Sequence, residues 1–248
     1  LQARLLEASG GVTTHPNLDG DAAFEAEIGL LSVEGLLANR GAAGHVDARL
    51  VAAGLTTGGG DAHGALLPEF NASLHYRFRD APFADGCTGI LGSAMRLNSG
   101  EQRGSSANSA GIGPSGGIAC NGDQAIFILT ADAGIAATLL DGILGSSATR
   151  TPIEEQGAGY VGLNVGVATD GNVLVQGSLA HLFLADGESV TTGELRASMP
   201  VIQFSPGFHL NAGVYGRAMR RSDLPDGEVG GVAAGVLIGT GYTVSHAE

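Results

Sequence analysis

Hydrophobic and polar residues alternate with a period of two over much of this chain. Between Phe70 and Arg79, Phe70, Ala72, Leu74, Tyr76 and Phe78 fall on one flank, and Asn71, Ser73, His75, Arg77 and Arg79 on the other. An extended strand sorts such residues onto two faces, whereas a helix would scatter both sets around its axis. The pattern recurs. Phe24, Ala26, Ile28 and Leu30 alternate with Glu25 and Glu27, and Val46, Ala48, Leu50 and Ala52 with His45, Asp47 and Arg49. Val161, Leu163, Val165 and Val167 alternate with Gly162, Asn164 and Gly166, and Phe208, Leu210, Ala212 and Val214 with His209, Asn211 and Tyr215, a polar flank that Arg217 continues. The segment from Val232 to Val244 sets Val232, Ala234, Val236, Ile238, Thr240 and Tyr242 against a flank of mostly Gly and Ala.

Turn signals separate these runs. Asp-Gly occurs at 19–20, 85–86, 141–142, 170–171, 186–187 and 226–227, and Asn-Gly at 121–122; such dipeptides tolerate the positive φ of tight hairpins. With weaker strands around 88–97, 124–139 and 194–204, the pattern predicts about ten antiparallel strands, within a range of roughly eight to twelve. The Ala- and Leu-rich stretch 130–144 also suits a short helix. Residues 1–20 read as a tail or plug that opens with a helical turn over 2–8. Residues 21–248 read as one β domain carrying a long Ser/Gly-rich loop at 98–117.

Composition narrows the class. The 42 glycines oppose long helices. The net charge is −13 and all 12 basic residues are arginine, which excludes the footprint of a nucleic-acid binder. No apolar run is long enough for a spanning helix, a test that β-barrels escape. The chain opens at Leu1 with no leader pattern, which is read as a leader removed or a chain trimmed. Cys87 and Cys120 lie beside turn signals and are read as a disulfide stapling the intervening stretch, in an oxidising compartment.

Two arrangements accommodate two-faced strands. In a soluble β-sandwich or jelly roll the apolar flanks meet in a dry core. In a membrane barrel they meet lipid, and the charged flank fills the lumen. The strongest strands span about ten to thirteen residues, a length that crosses a bilayer at a steep tilt. On these strands, the turns and a closing strand that ends on Tyr242 and Val244, residues 21–244 resemble the small bacterial outer-membrane β-barrel proteins as a class. That resemblance implies an antiparallel up-and-down transmembrane barrel in the outer membrane, with outer-membrane lipid as its partner, other envelope proteins or copies of itself as further partners, and no cofactor. Members of the class serve as pores, anchors or adhesins, and less often as lipid-modifying enzymes or proteases. For this chain it implies a structural, anchoring or narrow-channel role, with Glu25, Glu27, His45, Asp47, Arg49, His75, Arg77, Arg79, His209 and Arg217 forming a polar network in the lumen. Aromatic residues make up 5% of the chain and tryptophan is absent, so the interfacial aromatic girdles are expected to be thin. The alternative is a secreted or surface β-sandwich that serves as a binding module or a subunit of an extracellular assembly.

Motifs of enzymes and metal sites are weak. Gly111 to Gly116 matches G-x-G-x-x-G, and Gly113 to Gly117 matches G-x-S-x-G, but neither has the strand-to-helix context its chemistry needs. Ser178 and His181 belong to no recognisable triad spacing, and no catalytic constellation is expected. Asn17, Asp19 and Asp21 alternate as oxygen donors and form a weak calcium candidate without the full loop pattern.

Overall fold

The computed structural model describes residues 2–14, 22–38, 41–56, 62–99, 108–139, 157–183, 189–221 and 231–243. They form twelve antiparallel strands: β1 (Gln2–Thr14), β2 (Ala22–Ala38), β3 (Ala42–Thr56), β4 (Ala62–Ala84), β5 (Cys87–Ser99), β6 (Asn108–Asn121), β7 (Ala125–Leu139), β8 (Gly157–Thr169), β9 (Leu174–Phe183), β10 (Ser189–Ser205), β11 (Phe208–Arg221) and β12 (Gly231–Thr243). Each strand pairs with its neighbours in sequence, and β1 pairs with β12, so the sheet closes on itself. Closure leaves no unpaired edge, which a spanning sheet requires because lipid offers no hydrogen bonds. The soluble sandwich is thereby overturned, since the described strands form one closed barrel.

Three further expectations are corrected. The expected tail is, over Gln2–Thr14, the closing strand β1, bonded to both β2 and β12. Helix-favouring letters near the start yield to pairing on both sides, and a register shift between Arg4 and Leu6 hides the alternation. The expected loop at 98–117 contributes β6 from Asn108 onward, while residues 100–107 lie outside the described residues. Its inward positions are glycine, serine and alanine, so the strand has little hydrophobic contrast. The possible helix at 130–144 is strand β7 up to Leu139. Strands β1 and β6 raise the expected number from about ten to twelve.

The two ends of the barrel differ. At one end the strands are joined closely, as at Asp85-Gly86, 122–124, 170–173 and Pro206-Gly207; at the other the connections include 100–107, 140–156 and 222–230. The close turns use the residues their geometry demands: Gly86 and Gly207 have φ of 75° and 84°, and Asn172 has φ of 59°. At the short-turn end Cys87 and Cys120 face each other across β5 and β6 and are joined as a disulfide. The bond ties adjacent strands at the rim instead of bracketing a loop.

Outside, among the described residues, the wall is apolar from β4 round to β12. Leu74, Leu91, Ile112, Ile135, Leu163, Leu179, Leu195, Val214 and Val236 are exposed, Ile135 by 75%. Inside, Glu34, His75, Arg96, Asp132, Asn164, Arg196 and Asn211 are buried, and Thr130 is 0% exposed. Water-soluble proteins do not clothe nine neighbouring strands in exposed leucine, isoleucine and valine while sealing charges within. This inversion is the architecture of transmembrane β-barrels.

Candidate functional site: a bridged lumen

The inward side chains of β3, β4, β5, β7 and β8 form one directed chain of hydrogen bonds. Ser73 Oγ donates to His45 Nδ1 at 2.7 Å, and His45 Nε2 donates to Asn71 Oδ1 at 3.1 Å. Asn71 Nδ2 donates to Asn164 Oδ1 at 2.9 Å, and Asn164 Nδ2 donates to Asp132 Oδ1 at 3.0 Å. Asp132 also receives Arg96 through both oxygens, from Nε at 2.8 Å and Nη2 at 2.7 Å. Because Asn71 Oδ1 can only accept, His45 carries its proton on Nε2, and every donor points toward the single carboxylate. The bidentate Arg96–Asp132 pair is the geometry in which a guanidinium and a carboxylate satisfy each other best. Arg96 lies over Gly162, where a Cβ would collide with its guanidinium, and 5.9 Å from the centre of the Tyr160 ring. Glycine on the inner face therefore makes room for long side chains that cross over it.

Two contacts bridge walls that stand opposite each other in the ring. Leu36 on β2 lies against Gly166 on β8, where a Cβ would meet its methyl carbons. Gln176 Nε2 on β9 donates to the backbone carbonyl of Val46 on β3 at 3.4 Å. Gly166 pairs with Gln176, and Leu36 pairs with His45 next to Val46, so both contacts lie at one level, near the short-turn ends of β2 and β8. There the barrel narrows to a waist. On one side of the waist an apolar cluster of Ala43, Ile90, Ala119 and Ile128, with Leu36 and Ile126 against it, fills the space beside the polar chain. On the other side Arg196 Nη1 reaches Glu34 Oε1 at 3.4 Å, and His209 and Asn211 on β11 are buried as well.

Of the residues anticipated for the lumen, His45 belongs to the chain just described. His75 Nε2 is hydrogen-bonded to Ser115 Oγ at 2.8 Å, and Ser115 Oγ lies 3.3 Å from the Ala131 carbonyl oxygen. The serine of the G-x-S-x-G match and its histidine partner are both buried in the wall of the barrel. Arg77 Nε donates to Thr88 Oγ1, and its Nη atoms reach Asn121 Oδ1 and the carbonyls of Gly86 and Ala119 at 3.2–3.3 Å. It thereby ties two short turns together instead of joining the central network. His209 is buried, Asp47 is half-buried, and Arg217 lies 5.7 Å from the centre of the Tyr215 ring. The side chains of Glu25, Glu27, Arg49 and Arg79 lie outside the described residues, as do Asn17, Asp19 and Asp21 in full. Ser178 and His181 occupy opposite faces of β9 and form no joint site.

Sequence reading passed over Arg96, Asp132, Glu34 and Arg196, and placed Asn164 on a polar flank without assigning it to the lumen network. Their signal was present as lone charges or amides at inward parity, such as Asp132 between Ala131 and Ala133. Only pairing across the lumen makes them a network.

No family model and no curated protein matches the chain. Among solved structures it is similar to the NanC porin, at 10% identity and a TM-score of 0.43 over 96% of this chain and 100% of that one. It is also similar to an anion-selective porin from Comamonas acidovorans, at 9% identity and a TM-score of 0.37 over 98% of each chain. The β domain of the Bordetella autotransporter Brka is similar at 14% identity and a TM-score of 0.36, again over 98% of each.

Proposed function

We propose that this chain is a structural or anchoring barrel of the bacterial outer membrane whose lumen is occluded, rather than a pore for general diffusion. The observation that carries the reading is the waist, where Leu36 and Gln176 touch the opposite wall. A wide porin keeps a continuous aqueous path, which needs walls held apart. The apolar outer wall supports residence in lipid, and barrels of this type carry short turns on the periplasmic side and longer loops outside. On that rule the Arg77 and disulfide end faces the periplasm.

Reconstitution into planar bilayers tests the proposal. The expected result is insertion with no step of porin size, together with new conductance when Leu36 and Gln176 are both replaced by alanine. Porin-sized steps from the unaltered chain would overturn it. A narrow channel is the second reading, favoured by the buried polar lining of Arg196, Ser198, His209 and Asn211 beyond the waist. Small, ion-selective steps abolished by Arg196→Met would establish it instead.

A further inference from the structure

Among the described strand residues, the outer wall carries a histidine and an arginine at one place. His181 on β9 is directly opposite Thr191 on β10, and Thr191 is directly opposite Arg220 on β11. Directly opposed side chains in an antiparallel sheet sit about 4.5–5.5 Å apart at Cβ, so the three form one row. Parity sets the row on the outer face, because His181 shares it with exposed Leu179, Thr191 with exposed Leu195, and Arg220 with exposed Val214. His181 Nδ1 and Thr191 Oγ1 are 2.8 Å apart, and the imidazole meets the Phe183 ring edge-on at 4.5 Å, so the middle of the row is held in place. Arg220 is exposed. Among strand residues whose side chains are described, His181 and Arg220 are the only histidine and arginine on the outer face.

The row lies close to the ends of β9 and β11 and the start of β10, at the rim with the long connections. The other rim is different: Tyr76, Phe78, Phe204 and Tyr242 are exposed there. A guanidinium, an imidazole and a hydroxyl beside an apolar wall match a group that is anionic, rich in acceptor oxygens and attached to acyl chains. We infer that His181, Thr191 and Arg220 form a docking row for the phosphate of a phosphorylated lipid headgroup in the leaflet next to the long connections. Arg220 supplies the charge and the planar pair of donors; Thr191 and His181 supply further hydrogen bonds. The lipid's acyl chains then lie along Leu179, Leu195 and Val214 below the row. The inference rests on the membrane-spanning reading.

The test uses the full chain in phosphatidylcholine vesicles containing traces of spin-labelled phosphatidic acid or spin-labelled phosphatidylcholine. The fraction of each label slowed by contact with protein gives their relative association. The expected result is a preference for phosphatidic acid that falls about fivefold in Arg220→Gln, the scale of one cationic side chain at an anionic lipid surface, and is largely kept in Arg220→Lys. Thr191→Val should lower it less. Equal association of the two labels with the unaltered chain, or an undiminished preference in Arg220→Gln, would overturn the inference. Loss of the preference on adding inorganic phosphate would also overturn it, by assigning the row to the free ion. If neither label is slowed, the membrane reading itself fails and the inference falls with it, so the two failures give different records.

Discussion

The two flanks of β4 pose opposite problems within a few residues. Leu74, Tyr76 and Phe78 face outward and need only be apolar, because lipid chains make no directional demand. Ser73, His75 and Arg77 face inward and are each bound to named partners: His45, Ser115, and the turn around Gly86 and Asn121. The outer wall is therefore specified by composition and depth, and the inner wall by partner. Substitutions outside should scale with distance from the bilayer centre whatever the neighbours, whereas those inside should depend on what is left behind.

The largest effect is expected at Asp132. Its carboxylate collects Arg96 and Asn164, and Asp132→Ala leaves a guanidinium sealed in the lumen without its counter-ion. Breaking a buried pair in this way costs about 3–5 kcal/mol. The partner rule sharpens the expectation: Arg96→Met together with Asp132→Leu should recover much of the loss, because a buried pair replaced by apolar residues of similar volume is often neutral. Equilibrium urea unfolding in vesicles, followed by circular dichroism, measures both. If the double variant is as weak as Asp132→Ala, the inner wall is not governed by partners.

The outer wall comes next. Val236 lies midway along β12 and Val232 near its end, on the same outward face. Val236→Arg should cost about 2–4 kcal/mol and Val232→Arg about 0–1 kcal/mol, since the penalty falls from bilayer centre to interface. Equal costs in the same unfolding assay would break the depth rule and with it the assignment of this face to lipid.

The difference between the walls also explains what the sequence disclosed. Strands such as β4 and β12 were legible because composition alone marks a lipid-facing flank. Strand β6 was not, since Gly111, Gly113, Ser115 and Gly117 are small on the inside, and Tyr160 lies over Gly111 there. Smallness to admit a neighbour's side chain resembles the smallness of a loop until the neighbour is known. The same holds for the site. His45, His75 and Arg77 stood out because they interrupt a strong apolar alternation. Arg96 and Asp132 are 36 residues apart in sequence, and they acquire meaning only when β5 and β7 curve around β6 to bring them together. Among the described residues the exposed aromatics are few and uneven: Tyr76, Phe78, Phe204 and Tyr242 lie toward the short-turn rim and Phe183 at the other.

The smallest effect separates a directed chain from a set of independent contacts. Ser73 begins the chain by donating to His45 Nδ1, and its removal leaves that nitrogen without its donor at a buried site. Ser73→Ala should cost about 1 kcal/mol, the net worth of one such bond. Its influence should extend further along the chain, because the bond from Ser73 to Nδ1 fixes the ring that presents Nε2 to Asn71. Freed from Ser73, the imidazole keeps its Nε2 proton for Asn71 but loses the bond that fixes its ring, and the amide of Asn71 is then held toward Asn164 less firmly. Ser73→Ala and Asn164→Ala should therefore be less costly together than the sum of their separate costs, by at least about 0.5 kcal/mol, although neither residue touches the other. Strict additivity in that cycle would show that the inner wall consists of separate pairs, and that only Asp132 and Arg96 distinguish it energetically from the outer one.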